Sequence, residues 1–136
     1  VGTPLGMRFL DHERLAVVLD GPARSEWRMP GEPKTLPYAS AVIVAPATFN
    51  TINKWASGIT DTFAVGLLCE LTGAGVPILA VPCLKAELAR HVAFSRSLAD
   101  LRSMGVHVLY EPDAPAHSRM PPWKKILAEL DGMLSP

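Results

Sequence analysis

The chain has 136 residues, 49% of them hydrophobic and 19% charged, with a formal net charge of zero. That is enough apolar material for one compact domain with a real core. The balanced charge, without a basic cluster, argues against nucleic acid or an anionic membrane surface as a partner. No apolar run reaches the roughly 18 residues of a transmembrane helix. Cys69 and Cys83 lack Cys-x-x-Cys or histidine spacing, which argues against a disulfide scaffold and a zinc site and fits a reducing cytoplasm.

Val1-Gly2-Thr3-Pro4 reads as the tail of a strand, and a doubly wound fold predicts a strand–loop–helix unit ahead of it. Thr3 to Leu10 is expected to form a short helix, with Thr3 as N-cap, Pro4 at the first helical position, and Leu5, Phe9 and Leu10 toward the core. Glu13 to Leu19 suits either helix or strand. Asp20 to Pro37 is broken by Gly21, Pro22, Pro30, Gly31, Pro33 and Pro37, which predicts a long loop with at most a short strand at Ala23-Arg24-Ser25. Such a loop either serves a ligand site or is a surface excursion.

Ala41-Val42-Ile43-Val44-Ala45 has the continuous apolar, β-branched content of a strand buried on both faces, and Pro46 is expected to stop it. Ala47-Thr48-Phe49-Asn50-Thr51 then sets hydroxyls, an amide and free backbone N–H groups where a helix begins, an arrangement suited to an anion. Asn50 is the expected N-cap, Ile52, Trp55 and Ala56 lie at helical spacing, and Gly58 closes the helix. A second helix is expected from Thr60 or Asp61, with Phe63, Ala64, Leu67, Leu68 and Leu71 as its apolar face, to Gly73 or Gly75.

Gly75 to Pro82 is the second strand, followed by Cys83-Leu84-Lys85. Ligands of open α/β sheets sit outside the carboxyl ends of the strands, so this turn and the Pro46–Thr51 turn should border one crevice. Lys85 is either a point charge for a substrate carboxylate or phosphate or a solvated loop lysine, and Cys83 either a reactive thiol or a small packing residue. Glu87 to Met104 reads as one helix, with Leu88, His91, Val92, Leu98, Leu101 and Met104 near one face and Gly105 as its stop. His91 is either structural or a contact to a neighbouring subunit. Val106 to Tyr110 is a short strand near an edge. Residues 111–122 form an irregular loop in which His117, Arg119 and Met120 make either a lid or a tether. Trp123 to Leu134 is an amphipathic helix with Ile126, Leu127, Leu130 and Met133 inward. There is no Gly-x-Gly-x-x-Gly, Walker loop or Gly-x-Ser-x-Gly elbow, so dinucleotide, nucleotide-hydrolysis and serine-hydrolase readings lack support.

The order strand, helix pair, strand, helix, strand, helix gives an α/β fold with an open parallel sheet and helices on both faces, three-layer and flavodoxin-like or Rossmann-like. Pro46-Ala47-Thr48-Phe49-Asn50-Thr51, then Lys54, Ala56, Gly58, Asp61 and Leu67-Leu68, resemble the signature of the homo-oligomeric flavin-containing cysteine decarboxylases. These include the phosphopantothenoylcysteine and lantibiotic peptidyl-cysteine decarboxylases, whose usual wording is Pro-Ala-Ser-Ala-Asn-Thr, a Lys, an Ala, a Gly and an Asp. The resemblance runs from about Thr3 to Gly105 and favours helix for Glu13 to Leu19.

The resemblance implies FMN as cofactor and a small-molecule or peptide thiol as substrate. It implies cofactor contacts at Thr3, Pro46, Ala47, Thr48, Phe49, Asn50 and Thr51, with Asn50 also reaching the substrate and Lys54, Gly58 and Asp61 shaping the loop. It further implies a homotrimer or a multiple of trimers, whose neighbouring subunit would cover exposed apolar residues such as Trp55 and Phe49. The chain also departs from the pattern. The family's catalytic His, in a His-Ile-x-Leu segment before Trp-Ala-Asp, is absent where this chain has Tyr38-Ala39-Ser40, and Glu32 falls nearest, a base only if it sits in a dry pocket. In the family's substrate-recognition wording, Pro-Ala-Met-Asn-x-x-Met-Trp, the Asn becomes Lys85 and the Trp becomes Ala89. The residues named for catalysis are therefore Asn50, Lys85 and Glu32. These departures leave two expectations open: flavin-mediated oxidation of a thiol coupled to decarboxylation, or a catalytically silent flavin-binding subunit.

Overall fold

The computed structural model describes residues 1–19, 21–34, 36–113 and 120–135. The elements in order are α1 (Pro4–Met7), α2 (His12–Val18), β1 (Val42–Ala47), α3 (Phe49–Ala56), α4 (Phe63–Gly73), β2 (Ile78–Pro82), α5 (Ala86–Ala89), α6 (Val92–Ser103), β3 (His107–Val108) and α7 (Trp123–Leu134). The strands form a parallel three-stranded sheet in the order β1-β2-β3. No helix among the described residues is long and apolar enough to cross a membrane.

Alternation along the strands sends neighbouring side chains to opposite faces. Val42, Val44, Ile78, Ala80 and Val108 share a core with Ile52 and Trp55 of α3, Val65 and Leu68 of α4, and Phe94, Leu98 and Leu101 of α6. Ile43, Ala45, Leu79 and Val81 face the other way, onto Ile126, Leu130 and Met133 of α7. The result is the expected three-layer α/β arrangement. Full burial of Ile126 anchors α7, a contribution of about 1.5–3 kcal/mol for a side chain of this size. A His107–Glu129 pair at 2.6 Å and a Lys125–Glu111 pair tie α7 to β3 and the segment after it.

Several sequence expectations change. The five residues of β2 are all buried, whereas β1 lies at the sheet edge and is mostly half-buried. Pro46 does not stop β1, because a register irregularity between Val44 and Ala47 carries the strand past the cis Ala45–Pro46 bond to the Ala47–Pro82 pairing. The cap of α3 is Thr48 rather than Asn50, and that of α4 is Thr62 rather than Thr60 or Asp61. The helix expected from Glu87 to Met104 is two helices, α5 and α6, because the His91 side chain accepts from the Ala93 N–H and restarts the chain as a cap. That break resets the phase, leaving Leu88, Val92 and Met104 exposed while Phe94, Ser97, Leu98 and Leu101 turn inward.

Leu5, Phe9 and Leu10 are exposed rather than core-facing, and so is Leu127. Trp55, by contrast, is a core residue at 2% exposure, with its indole N–H on the Thr72 hydroxyl at 2.9 Å. Phe49 is half-buried against the same core. Neither needs a neighbouring subunit to cover it. Ala23-Arg24-Ser25 forms no strand, although the Arg24 carbonyl accepts from Gly2 N–H. Met120 packs against the Ile126 cluster instead of forming a lid, and His117 and Arg119 lie outside the described residues.

The loop after α2 is held to α4 at Phe63 and Gly66, with the Arg24 guanidinium 5.9 Å from the Phe63 ring centre. Trp27 meets the Phe63 ring edge-on at 5.3 Å, and a Cβ at Gly66 would fall 2.3 Å from the outer indole ring. Gly66→Ala should therefore expel the half-exposed Trp27 rather than disturb the core. The expected cost is about 1–2 kcal/mol, the scale of a small overpacking, with red-shifted tryptophan emission. In a double-mutant cycle with Trp27→Ala the two losses should be strongly non-additive; additive losses would mean that the contact is not the cause.

Candidate functional site

The β1–α3 junction is held against β2 by backbone bonding. Ala47 pairs with Pro82, and Cys83 N–H donates to the Ala47 carbonyl at 3.1 Å. The Pro46–Thr51 and Pro82–Lys85 turns thus stand side by side at the carboxyl ends of adjacent strands. At the junction the Thr48 hydroxyl accepts from Thr51 N–H at 3.3 Å and lies 3.1 Å from the Thr51 hydroxyl. Capping explains why the helix starts here: Thr48 is extended and its carbonyl already accepts from Ile52 N–H. The N–H groups of Phe49 and Asn50 then face out from the first turn without an intrahelical acceptor.

Thr48 and Asn50 are exposed, Thr51 and Phe49 half-exposed, and Ala47 fully buried below them. The loop after α3 is closed by Gly58, which adopts a left-handed φ of 68° that glycine takes without strain. The Lys54–Asp61 ion pair at 2.5 Å spans the same loop. Behind the junction, the Ser97 hydroxyl of α6 donates to the Asn53 side-chain oxygen at 2.8 Å, which fixes α3 against α6.

Sequence-predicted residues divide into two groups. Pro46, Ala47, Thr48, Phe49, Asn50 and Thr51 converge on the junction, and Lys85 is exposed on the adjoining turn as the cap of α5. Thr3 is committed to capping α1, its hydroxyl accepting from Gly6 N–H at 3.0 Å. Glu32 is exposed, with its carboxylate accepting from Met29 N–H at 2.9 Å, so it does not sit in the dry pocket expected of a base. Among the described residues no group of three His, Cys, Asp or Glu side chains is placed to hold a metal.

A groove of about 350 Å3 opens beside the junction, walled by Leu84 and Ala89 on one side, Phe94, Ser95 and Leu98 on the second, and Tyr110 on the third. Phe94 stacks on Phe49 at 6.4 Å and meets Tyr110 edge-on at 5.3 Å, and the His91 ring meets Phe49 edge-on at 5.8 Å. Ala89, which stands where the decarboxylase wording has Trp, lines this groove. Phe94 was missed from sequence because the helix was phased from Leu88; the spacing Phe94, Ser97, Leu98, Leu101 carried the signal.

A parallel sheet with helices on both faces, whose first strand ends in a hydroxyl-capped helix start at its carboxyl edge, is of the doubly wound α/β class. The flavoprotein family model matches residues 19–135. The chain belongs to that family. It is 30% identical over 107 residues to a cysteine/cysteine sulfinic acid decarboxylase of an unknown prokaryotic organism, covering 79% of this chain and 28% of the relative. It is 35% identical over 68 residues to the coenzyme A biosynthesis bifunctional protein CoaBC of Bacillus subtilis (strain 168), covering 50% of this chain and 16% of that protein. Among solved structures, HAL3 from Cryptococcus neoformans superposes with a TM-score of 0.61 at 28% identity, over 69% of this chain and 48% of that one. The FMN-dependent cysteine decarboxylase SpaF, at 18% identity, shares the fold with a TM-score of 0.75, over 98% of this chain and 77% of that one. The chain thus spans under a third of the length of these curated relatives and about half that of HAL3.

Cys69 sits behind the junction, its thiol 3.8 Å from the Trp55 carbonyl, and burial pushes that thiol up from its ordinary value. With the native value raised, the unfolded chain releases this proton first, so its contribution is intact below the unfolded value of about 8.5 and is lost as pH rises above it. Urea unfolding at pH 7 and pH 10 should show a smaller alkaline loss of stability in Cys69→Ala than in the parent. An equal loss in both would contradict this.

Proposed function

We propose that this chain is the flavin-holding part of an FMN-dependent enzyme that oxidises a thiol-bearing carboxylate and releases carbon dioxide. The observation that carries the reading is the Thr48–Thr51 junction. Its hydroxyls, 3.1 Å apart, and the N–H groups of Phe49 and Asn50 are uncharged donors at the positive end of α3, which suits a phosphate monoester. The donor set therefore fits the phosphate end of FMN. Ala47, buried beneath the turn, sets the level of the slot, and Phe49 forms an apolar wall beside it.

Bound FMN would supply the hydride acceptor for thiol oxidation, which prepares the loss of the carboxylate. This chain's residues supply position and electrostatics. Thr48 and Thr51 hold the phosphate, the Asn50 amide faces the crevice as a donor and acceptor for substrate, and Lys85 on the adjoining turn offers a point charge to its carboxylate. Exposed Phe9, in the turn after α1, and Val17 and Val18 of α2 form apolar surface that a second copy of the chain would cover, so we extend the reading to a homo-oligomer, trimeric as in the resembled decarboxylases. The free cysteines fit a reducing, cytoplasmic setting.

A catalytically silent flavin-holding subunit is the second reading. It is favoured by the exposure of Glu32 and its use as a local turn cap, which leaves the expected base position unfilled.

Titration should show FMN bound at least about tenfold more tightly than riboflavin, since the phosphate takes charge-assisted bonds that riboflavin lacks. Thr51→Val, which removes one hydroxyl and keeps the shape, should erase most of that preference without weakening riboflavin. Equal affinity for the two flavins, or no flavin uptake, would overturn the reading, and a monomer mass by light scattering would remove its oligomer. Turnover of a cysteine-bearing carboxylate by the loaded protein would exclude the silent alternative.

A further inference from the structure

We infer that the groove between α5, α6 and the end of β3 is a second compartment of the same site, taking an apolar acyl or aryl group carried by the thiol carboxylate. This inference rests on the flavin reading for the identity of the reacting thiol, and on the groove itself for the class of its substituent.

Two links join the groove to the junction. Leu84 follows Cys83, whose N–H is bonded to the Ala47 carbonyl at 3.1 Å. Phe94 walls the groove and stacks on Phe49, the first residue after Thr48. A molecule lying in the crevice over the carboxyl ends of β1 and β2 therefore has the groove at its far end, over β2 and β3.

The lining sets the chemistry. Leu84, Ala86, Ala89, Tyr110 and Pro112 give it an apolar wall, and the half-buried Tyr110 ring, backed edge-on by the buried Phe94, offers a surface to a flat or branched apolar group. The donor for a ligand carbonyl is the Arg90 guanidinium, because the Ser95 hydroxyl already donates to the Val92 carbonyl at 3.1 Å. Arg90 has only a loose contact to Glu87 at 3.9 Å, and the Glu111 carboxylate is taken by Lys125. A volume of about 350 Å3 lies at the lower end of small-molecule sites. It admits a ring or short acyl chain, and it is too small for a folded partner.

The experiment uses the full chain, with N-phenylacetyl-cysteine and cysteine as probes, read by amide chemical shifts. The acylated probe should shift Ala89, Phe94, Ser95, Leu98 and Tyr110 and bind about tenfold more tightly than cysteine, the gain from burying one modest apolar group. Ala89→Trp and Ser95→Trp fill the groove from opposite walls, and each should return the acylated probe to the affinity of cysteine with FMN affinity unchanged. Equal binding of both probes to the parent chain, or a gain that survives both substitutions, overturns the compartment. If the acylated probe shifts the groove while FMN fails to bind, the compartment stands and the flavin reading falls. If FMN binds and the acylated probe gains nothing, the compartment alone falls.

Discussion

The parallel pairing of β1 with β2 decides where the Pro46–Thr51 and Pro82–Lys85 turns stand. Its last link, Ala47 opposite Pro82 with Cys83 N–H on the Ala47 carbonyl, sets two turns that are far apart in sequence side by side at the carboxyl edge of the sheet. The rest of the core serves to keep that link in place. Ile52 and Trp55 lock α3 onto one face of the sheet, Ser97 ties α3 to α6 through Asn53, and α7 closes the opposite face through Ile126. The first turn of α3 begins at the carboxyl end of β1 because Thr48 follows the strand directly and caps the helix.

Much of this was legible in the residues. The two apolar runs ending in proline became the paired strands, the change of period expected from Asn50 became α3 starting at Phe49, and α7 spans the residues expected of it. What misled the reading was tertiary in origin. Continuous apolar content marks a buried strand, but it does not say which strand is central, and the half-buried one proved to be β1. Thr48, Asn50 and Thr51 all favour capping, and the register irregularity at Pro46 made Thr48 the residue with extended backbone. Periodicity across Arg90 and His91 looked continuous because a histidine side chain can serve as a cap, a choice that propensity alone does not reveal.

The β1–α3 junction was legible from sequence, and the groove beside it was not. Pro46 to Thr51 is contiguous, so its geometry follows from local structure. Glu32 and Lys85 were proposed from position along the chain, and both are exposed; Glu32 serves only its own turn. The groove is assembled from α5, α6 and the end of β3, and no short stretch of sequence spells it. Its width owes much to Ala89, a small side chain at a position where a larger one would close the space.

The central claim is that the first turn of α3 grips a phosphate. The most direct measurement compares amide shifts of the full chain titrated with FMN and with riboflavin, two ligands that differ only in that group. The account predicts that the Phe49, Asn50 and Thr51 amides move strongly with FMN and little with riboflavin; equal shifts with both, or shifts confined to other segments, would contradict it.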